Sequence, residues 1–290
     1  MSVGLVIPTL NAERELGSLL NAVMGQTRVP DDILIVDSSS DDNTLDIAAS
    51  YPGVRVMVIR REDFDHGGTR QLALEEVTGD FVLFLTQDAV PADERYVENL
   101  LAPFDDPGVG MASGRQVAKP GARRYVQLVQ EFNYPLTSNI RTKEDIERLG
   151  IKAFFASDAC SAYRRRSIET IGGIPRPCST NEDMLAVARL LRAGFSVAYA
   201  ADACVLHSHN LTPRDQYCRN RAVGRFLTRH SDELETTSEV SEGINMVKSV
   251  TSQLVREGHF LELLAFGVDC AVRLAGNRAG RLRYGLRDGQ

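Results

Sequence analysis

The chain has 290 residues, and its content of 43% hydrophobic and 25% charged residues is typical of a globular protein with a substantial core. Its net charge of −6, from 33 basic and 39 acidic residues, excludes a general nucleic-acid binder, because such proteins need a basic face. The 5 cysteines are odd in number and form no CxxC pair. We therefore expect free thiols in a reducing compartment rather than a disulfide framework.

The two ends of the chain bear on where the protein works. The N-terminal sequence MSVGLVIPTLNAER lacks a basic segment and a long apolar run, so we expect no signal peptide. No stretch reaches the roughly 18 consecutive apolar residues of a transmembrane helix, and we expect a cytoplasmic protein. Residues 271–290 carry five arginines and one aspartate. This tail is either solvated or attracted to the anionic inner membrane face, at about 1 kcal/mol per basic residue.

The first 115 residues alternate short apolar runs with segments of helical spacing. Buried strands are predicted at residues 3–7, 33–36, 54–59, 81–85 and 109–112. Helices are predicted between them at residues 13–24, 43–50, 69–77 and 93–101. This alternation predicts βαβ units and a Rossmann-like, mostly parallel central sheet that is flanked by helices.

The second half of the chain has a less regular pattern. Strands are predicted at residues 153–156, 197–199 and 204–206, and helices at residues 182–193, 213–230 and 244–274. No linker separates this half from the first. We therefore expect it to complete the sheet and to add a helical C-terminal region over residues 231–290.

Polar residues follow each of the first four predicted strands. The loops read PTLNAE at 8–13, DSSSDDNT at 37–44, FDHGGTR at 64–70 and TQD at 86–88. Because the carboxyl ends of parallel strands meet at one edge of a sheet, we expect these loops to form one pocket. No G-x-G-x-x-G follows the first strand and no G-x-x-x-x-G-K-[ST] occurs, which disfavours a dinucleotide-binding dehydrogenase and a P-loop NTPase.

The chemistry of these loops suits a nucleotide diphosphate. The carboxylate of Asp37 can accept the N3–H of a uracil or thymine ring. Gly67 and Gly68 precede a predicted helix, where backbone can approach an anion and free N–H groups can bind it. Arg70 can neutralise a phosphate through its planar guanidinium.

Five motifs in this order resemble the family-2 glycosyltransferases of the GT-A fold: VIPTLNAERELGSLLNAVMGQT, ILIVDSSSDDNT, FDHGGTRQLAL, GDFVLFLTQDAVP and NEDMLAVARLLRAGFSVAYAADACVLHSHN. Through TQDA, HGGTR and HSH the chain is most similar to bacterial rhamnosyltransferases of surface polysaccharide synthesis. The resemblance implies a glycosyltransferase domain over 1–230, with a nucleotide-binding half at 1–115 and an acceptor or catalytic half at 116–230. It implies inverting, metal-dependent transfer of a sugar from a dTDP- or UDP-sugar, foremost dTDP-rhamnose, to a glycan or lipid-linked saccharide.

The resemblance also implies a role for individual residues. The expected nucleotide-sugar contacts are Pro8, Thr9, Asn11, Glu13, Asp37, Gly68, Arg70, Thr86 and Gln87. Helix capping is the alternative role for Thr9, Asn11 and Asp37, and a surface salt bridge is the alternative for Arg70. Asp158 is a further candidate on the acceptor side.

The metal motif of the family, D-x-D, corresponds here to Thr86-Gln87-Asp88. The resemblance implies that Asp88 binds Mn²⁺ or Mg²⁺ and that Thr86 contacts ribose. His207 and His209 project to the same side of a predicted extended segment and are candidates for the missing ligand. Imidazole ligands favour Mn²⁺, because Mg²⁺ prefers oxygen. The alternative is that both are ordinary loop histidines.

Asp183 in TNEDM matches the position of the catalytic base in the family, and Glu182 would orient a substrate hydroxyl. The alternative is that both acids only favour the macrodipole at a helix start. The alternative functions are a sugar nucleotidyltransferase, which the absence of a glycine-rich loop after strand one disfavours, and a non-catalytic nucleotide-sugar binding protein. The sequence leaves the oligomeric state open.

Overall fold

The computed structural model of the chain describes residues 1–209, 211–234 and 239–285. Within these residues the strands are Val3–Thr9 (β1), Asp32–Asp37 (β2), Val54–Val58 (β3), Phe81–Leu85 (β4), Val90–Pro91 (β5), Val109–Val117 (β6), Asn139–Arg141 (β7), Cys160–Arg164 (β8) and Ser196–Leu206 (β9). The helices are Leu16–Met24 (α1), Thr44–Ala49 (α2), His66–Glu76 (α3), Tyr96–Leu101 (α4), Arg124–Asn133 (α5), Asp145–Leu149 (α6), Arg165–Thr170 (α7), Glu182–Arg192 (α8), Pro213–Arg229 (α9), Ser231–Leu234 (α10), Glu239–Arg256 (α11) and Phe260–Gly285 (α12).

The strands of the described residues form a single mixed sheet. Strands β3, β2, β1 and β4 lie side by side in that order and are parallel, as the alternating pattern predicted. Strand β8 pairs with β4 in the antiparallel direction, and β6, β9 and β5 follow it, with β7 added on β9. The prediction that the second half completes the sheet is confirmed.

Burial explains why the parallel strands have near-continuous apolar sequences. Strands β1, β2 and β4 are buried along almost their whole length, as expected of parallel strands that are covered on both faces. Helix α1 packs on this sheet through apolar residues at the spacing of one helical face, namely Leu16, Leu19, Leu20 and Val23.

The second half differs from the sequence prediction at two places. Residues predicted as a strand at 153–156 include the end of a 3-10 turn, Gly150–Phe154, in which Phe154 is fully buried. A short apolar run does not distinguish a buried turn from a strand. Strand β8 was not predicted, because its sequence, CSAYR, is short and contains no valine, isoleucine or leucine. The segment 244–274, which was expected to be mainly helical, contains parts of two helices, α11 and α12, and Gly258 with φ 76° lies between them.

The chain divides into two compact units. The first comprises residues 1–116, 135–145 and 155–207 and contains most of the sheet, and the second comprises 117–134, 146–154 and 208–290. Within the second unit, α9 packs against α12. Helices α5, α11 and α12 bury a separate apolar cluster of Leu128, Val129, Val250, Leu254 and Phe266.

Glycines permit the close approach of α9 and α12 within the second unit. A Cβ on Gly224 would lie 2.2 Å from the carbonyl oxygen of Asn277, and a Cβ on Gly280 would lie 2.2 Å from that of Arg221. In the part of the chain that the structure describes, no helix is both long enough and apolar enough to cross a membrane.

Candidate active site

The loops after β1 and β2 are joined through the carboxylate of Asp37. Its Oδ2 accepts hydrogen bonds from Thr9 Oγ1 at 2.8 Å and Ser40 Oγ at 2.6 Å, and its Oδ1 accepts from Ser40 N at 2.8 Å. Asp37 is 0% exposed. In this geometry the carboxylate is enclosed by protein donors, so the predicted contact with a pyrimidine base would have to displace one of them. The geometry supports the alternative role, in which Asp37 shapes both loops.

The other predicted nucleotide residues lie on the same loops. Asn11, at φ 50°, donates its backbone N–H to Ser40 Oγ at 2.8 Å, and Glu13 Oε2 accepts from Asn43 Nδ2 at 3.1 Å. Both Asn11 and Glu13 are exposed, whereas Pro8 is half-buried in β1. The structure thus brings the loops together and leaves Asn11 and Glu13 open to solvent.

Gln87 joins the end of β4 to the loop after β1. Its Oε1 accepts from Leu10 N at 2.8 Å, and its Nε2 donates to Leu10 O at 3.2 Å. The amide therefore pairs with backbone in the way that a neighbouring strand would. Gln87 positions the loop, and both of its polar atoms are already bonded.

The first turn of α3 is closed by protein groups. Asp65 caps the helix, and its Oδ2 accepts from Gly68 N at 2.8 Å and from Cys178 N at 2.9 Å. Gly67 N donates to Cys178 O at 2.9 Å, and a Cβ on Gly67 would lie 2.0 Å from Pro175 O. An anion at the site predicted at Gly68 would have to displace these hydrogen bonds, and the glycines permit close packing of the two segments.

Arg70 is buried among carboxylates and is only 4% exposed. Its Nη1 donates to Glu182 Oε1 at 2.6 Å, its Nε lies 3.6 Å from Asp158 Oδ2, and its guanidinium lies over the ring of Phe84. The predicted contacts of Arg70 with a diphosphate and of Glu182 with a substrate hydroxyl would require these side chains to leave this pair. Each side chain is turned to the other and away from solvent.

Asp183 is the second residue of α8. The residue before the helix, Asn181, has a left-handed φ of 58°. Its Oδ1 accepts from Met184 N at 2.8 Å, and its Oδ2 accepts from Asp158 N at 3.2 Å. Burial, together with the charges of Glu182 and Asp158, raises the pKa of the Asp183 carboxyl well above its ordinary value. A raised pKa makes this carboxylate a stronger base than an exposed aspartate.

Asp88 and His207 form a second group of possible ligands. His207 Nε2 lies 3.4 Å from Asp88 Oδ1, and one ligand atom each from Asp88, His207 and His209 lies within 4.8 Å of the others. Gln116 Oε1 contacts His207 Nδ1 at 2.8 Å, while its Nε2 donates to Ser157 Oγ at 2.8 Å. From this network we infer that Nδ1 carries the proton and that the lone pair of Nε2 faces Asp88. One carboxylate and two imidazoles suit Mn²⁺.

Strand register brings Asp88, Asp158 and His207 to one edge of the sheet. Strand β8 is antiparallel to β4, so the residues before β8 adjoin those after β4, and Thr86 N donates to Ala159 O at 3.3 Å. Strand β5, shortly after Asp88, pairs with the last residues of β9, which precede His207. The Thr86 Oγ1 is buried and has no hydrogen-bond partner among the described residues.

The residues that hold His207 and Asp158 in place could not be recognised from the sequence. Gln116 orients His207 across 91 residues of sequence, and no local motif marks it. Ser161 Oγ and Tyr163 Oη donate to Asp158 Oδ1 at 2.6 and 2.8 Å. Asp158, expected on the acceptor side, is 1% exposed and buried within this network. The alternating polar positions of β8 would have been a signal only if β8 had been recognised as a strand.

Comparison with known proteins gives consistent matches. Residues 5–172 match the sequence profile of the family described as glycosyl transferase family 2. An O-antigen chain rhamnosyltransferase of Salmonella typhimurium is 40% identical over 227 residues, which are 78% of this chain and 72% of that protein. An O-antigen chain rhamnosyltransferase of Salmonella anatum is 37% identical over 262 residues, which are 89% and 83% of the two chains. A mannosyltransferase of Pyrobaculum calidifontis, solved with GDP-Man and Mn²⁺, has a TM-score of 0.64 at 16% identity over 96% of this chain and 86% of that chain, a likeness that shows the fold.

Proposed function

Because the chain belongs to glycosyl transferase family 2 and is a glycosyltransferase, we propose that it transfers rhamnose from dTDP-rhamnose, with inversion, to a glycan or lipid-linked saccharide. The proposal extends to this chain the reaction for which its Salmonella relatives are named. The observation that carries it is that Asp183 is hydrogen-bonded to the sheet edge on which Asp88 and His207 lie.

Asp183 is the proposed base. The acceptor hydroxyl gives its proton to the Asp183 carboxylate as its oxygen attacks the anomeric carbon, and the bond from that carbon to the diphosphate oxygen breaks. The anomeric configuration inverts because attack and departure take place on opposite faces of the sugar. The raised pKa of Asp183 supports this role, since a base with a pKa nearer the working pH accepts a proton more readily.

Asp88, His207 and His209 would hold a divalent cation, for which Mn²⁺ is the proposed ion. Their mixed oxygen and nitrogen donors lie close enough to converge on one ion, which is the observation that supports this site. A bound cation supplies charge to stabilise the departing diphosphate. The side chains of Asn11 and Glu13, which are exposed, remain the proposed contacts to the base and ribose, with Pro8 in the same loop. Thr9 donates a hydrogen bond to Asp37, and its proposed role is to hold that side chain in place.

Release of the nucleotide diphosphate tests this function. Purified protein is supplied with dTDP-rhamnose, other dTDP- and UDP-sugars and GDP-mannose, with Mn²⁺, with Mg²⁺ or with a chelator, and with lipid-linked saccharides as acceptors. We expect turnover with dTDP-rhamnose that needs Mn²⁺ and falls by at least about a hundredfold in Asp183→Asn. The control is Asp202→Asn, an exposed carboxylate on β9. No turnover with any donor, or full activity in Asp183→Asn, refutes the mechanism; a different preferred donor refutes rhamnose alone.

Helix α12 supports peripheral contact with an anionic membrane surface, as part of the same proposal. Residues of one helical face follow each other at intervals of three, four or seven and are all exposed, namely Leu261, Leu264, Val268, Ala271, Ala275 and Leu282. Leu261 is 82% and Leu264 70% exposed. The packed pair α9 and α12 contains nine arginines and three acidic residues, whereas the whole chain has a net charge of −6. An apolar row with surrounding cationic charge is the pattern of a helix that lies on anionic lipid.

Sedimentation with vesicles tests this contact. We expect binding to phosphatidylglycerol vesicles, little binding to phosphatidylcholine vesicles, and release at high salt. The triple variant Leu261→Ser, Leu264→Ser, Val268→Ser should not bind, whereas Val56→Ser with Val58→Ser, exposed on the edge strand β3, should bind normally. Absence of sedimentation with anionic vesicles refutes the proposal. So does a dimer, seen by light scattering, that the triple variant dissociates, because the face would then join two copies.

A further inference from the structure

We propose that Arg70 and Asp158 are positioning residues for the transfer reaction, which hold the start of α8 and set the charge around Asp183. This inference rests on the proposed role of Asp183 as the base. Neither side chain is exposed at the surface where a substrate would bind, since Arg70 is 4% and Asp158 1% exposed. Both therefore act through the side chains and backbone that they contact.

Arg70 reaches from α3 to two carboxylates of other elements. Its Nη1 donates to Glu182 Oε1 at 2.6 Å and so holds the residue directly before the base. Its Nε lies 3.6 Å from Asp158 Oδ2, and both of these buried atoms are without a hydrogen-bond partner among the described residues. The pair is therefore held by charge across a short gap, and one guanidinium compensates two buried acids.

Asp158 connects the arginine to the base. Its Oδ1 accepts from Ser161 Oγ at 2.6 Å and Tyr163 Oη at 2.8 Å, which fixes the side chain against β8. Its backbone N–H donates to Asp183 Oδ2 at 3.2 Å. The segment that binds Arg70 through its side chain thus orients Asp183 through its backbone, and movement of one should move the other.

The charge balance at this cluster is three carboxylates to one cation. Arg70 keeps its charge because Glu182 and Asp158 outweigh the effect of its burial and raise its pKa. Without that cation, Glu182 and Asp158 would repel the ionised form of Asp183 more strongly, and its pKa would rise further. The remaining titratable groups facing the cluster are Tyr163 from β8, Cys178 from the preceding loop, and Asp65 and His66 from the start of α3, of which His66 Nδ1 lies 3.3 Å from Arg70 Nη1.

The test is the pH dependence of kcat in two variants, of which one removes a positive charge from the cluster and the other removes a negative charge. Arg70→Met removes the cation and should move the acid limb of the profile up by about one pH unit or more, with a lower kcat at its plateau. Glu182→Gln removes an anion and should move the limb down. Arg70→Met with Glu182→Gln should return the limb toward the original position, and Arg70→Lys should leave it in place. Donor KM should change little in all four, because neither side chain contacts the nucleotide.

Arg165→Met is the matched control, because Arg165 at the start of α7 also contacts α3, at the end away from Arg70. The Arg165 guanidinium donates to Leu74 O at 2.9 Å and to Val77 O and Gly79 O at 2.6 Å, at and beyond the other end of α3. The Arg165→Met substitution should lower the unfolding temperature and leave the pH profile of kcat unchanged.

The outcomes separate this inference from the proposed function. Unchanged acid limbs in Arg70→Met and Glu182→Gln, with activity that still depends on Asp183, overturn the positioning role and leave the reaction intact. Full activity of Asp183→Asn overturns the proposed base instead. If Arg70→Met does not fold, Glu182→Gln and Arg70→Lys still decide, since an upward shift in Glu182→Gln or a shifted limb in Arg70→Lys also overturns the inference.

Discussion

Replacement of Gln116 tests the metal site through a residue that would not itself touch the metal. Gln116 on β6 contacts His207 Nδ1 through Oε1 at 2.8 Å, and Ser157 fixes the orientation of its amide from the other side. This contact selects the tautomer of His207 in which Nε2 is unprotonated and faces Asp88. If an ion binds between Asp88 and His207, the Gln116 amide keeps the Nε2 atom of His207 available as a ligand.

The variant Gln116→Leu removes the acceptor and keeps the approximate size of the side chain. Loss of such a partner of a ligating histidine lowers metal affinity about 10- to 100-fold, which corresponds to about 1.4 to 2.8 kcal/mol. Stability should fall by about 1 to 3 kcal/mol from the two lost hydrogen bonds, which is less than the roughly 5 to 15 kcal/mol that stabilise a typical protein. Gln116→Glu, which retains an acceptor, should recover most of the affinity. The assay is titration of Mn²⁺ in the presence of dTDP, with free Mn²⁺ followed by electron paramagnetic resonance.

Two comparisons make this prediction decisive. His207→Ala sets the effect of losing the ligand itself. Gln71→Leu is the matched control, because Gln71 is 8% exposed where Gln116 is 6%, and its Oε1 accepts from Ile174 N at 2.7 Å, with no contact to a candidate ligand. If Gln116→Leu binds Mn²⁺ as well as the unchanged protein does, while His207→Ala does not, the proposed tautomer control is wrong.

Three further predictions follow from other contacts. Asp88→Ala should abolish metal-dependent turnover, whereas Thr86→Ala should mainly raise the KM for the donor; similar kinetics in both would contradict this division of the motif. Gly224→Ala should destabilise the second unit by about 1 to 3 kcal/mol, because its Cβ would lie 2.2 Å from Asn277 O, while Gly243→Ala, with open space around it, should not lower the unfolding temperature. The raised pKa of Asp183 means that its ionised form disfavours the fold, so stability is lost as pH rises from its ordinary value through the raised one. Asp183→Asn should therefore unfold at a higher temperature than the unchanged protein at pH 8 but not near pH 3, and equal temperatures at pH 8 would contradict the shift.

Local patterns were sufficient for the first half of the fold and for the family. Each parallel strand has a short apolar sequence that ends in polar residues, and the predicted strand at 81–85 has the bounds of β4. The family resemblance drawn from the motifs is confirmed by the match over residues 5–172 and by the two Salmonella relatives. Asp88 and His207 were also expected at strand ends. A strand end can be recognised from the local sequence, because an apolar run stops there at polar residues.

Burial and long-range pairing could not be predicted in this way. Arg70 has the sequence context of an anion-binding helix start, yet its partner Glu182 lies 112 residues away and removes it from solvent. Likewise, Gly68 precedes helical spacing, but Asp65 already binds its N–H group. Whether a polar group is free for a ligand depends on which distant segment packs against it, and a single sequence does not contain that information.

The charge of the cluster gives a physical reason for the threonine in Thr86-Gln87-Asp88. Thr86 N bonds to Ala159 O, next to Asp158, and the buried Thr86 Oγ1 adds no charge there. An aspartate at this position would place a further carboxylate beside an edge that already has three of them and Arg70 as their compensating cation. Imidazole ligands from His207 and His209 would join Asp88 around an ion without adding negative charge. On this argument Thr86→Asp should raise the pKa of Asp183 further and move the acid limb of kcat upward, and an unchanged limb would refute it.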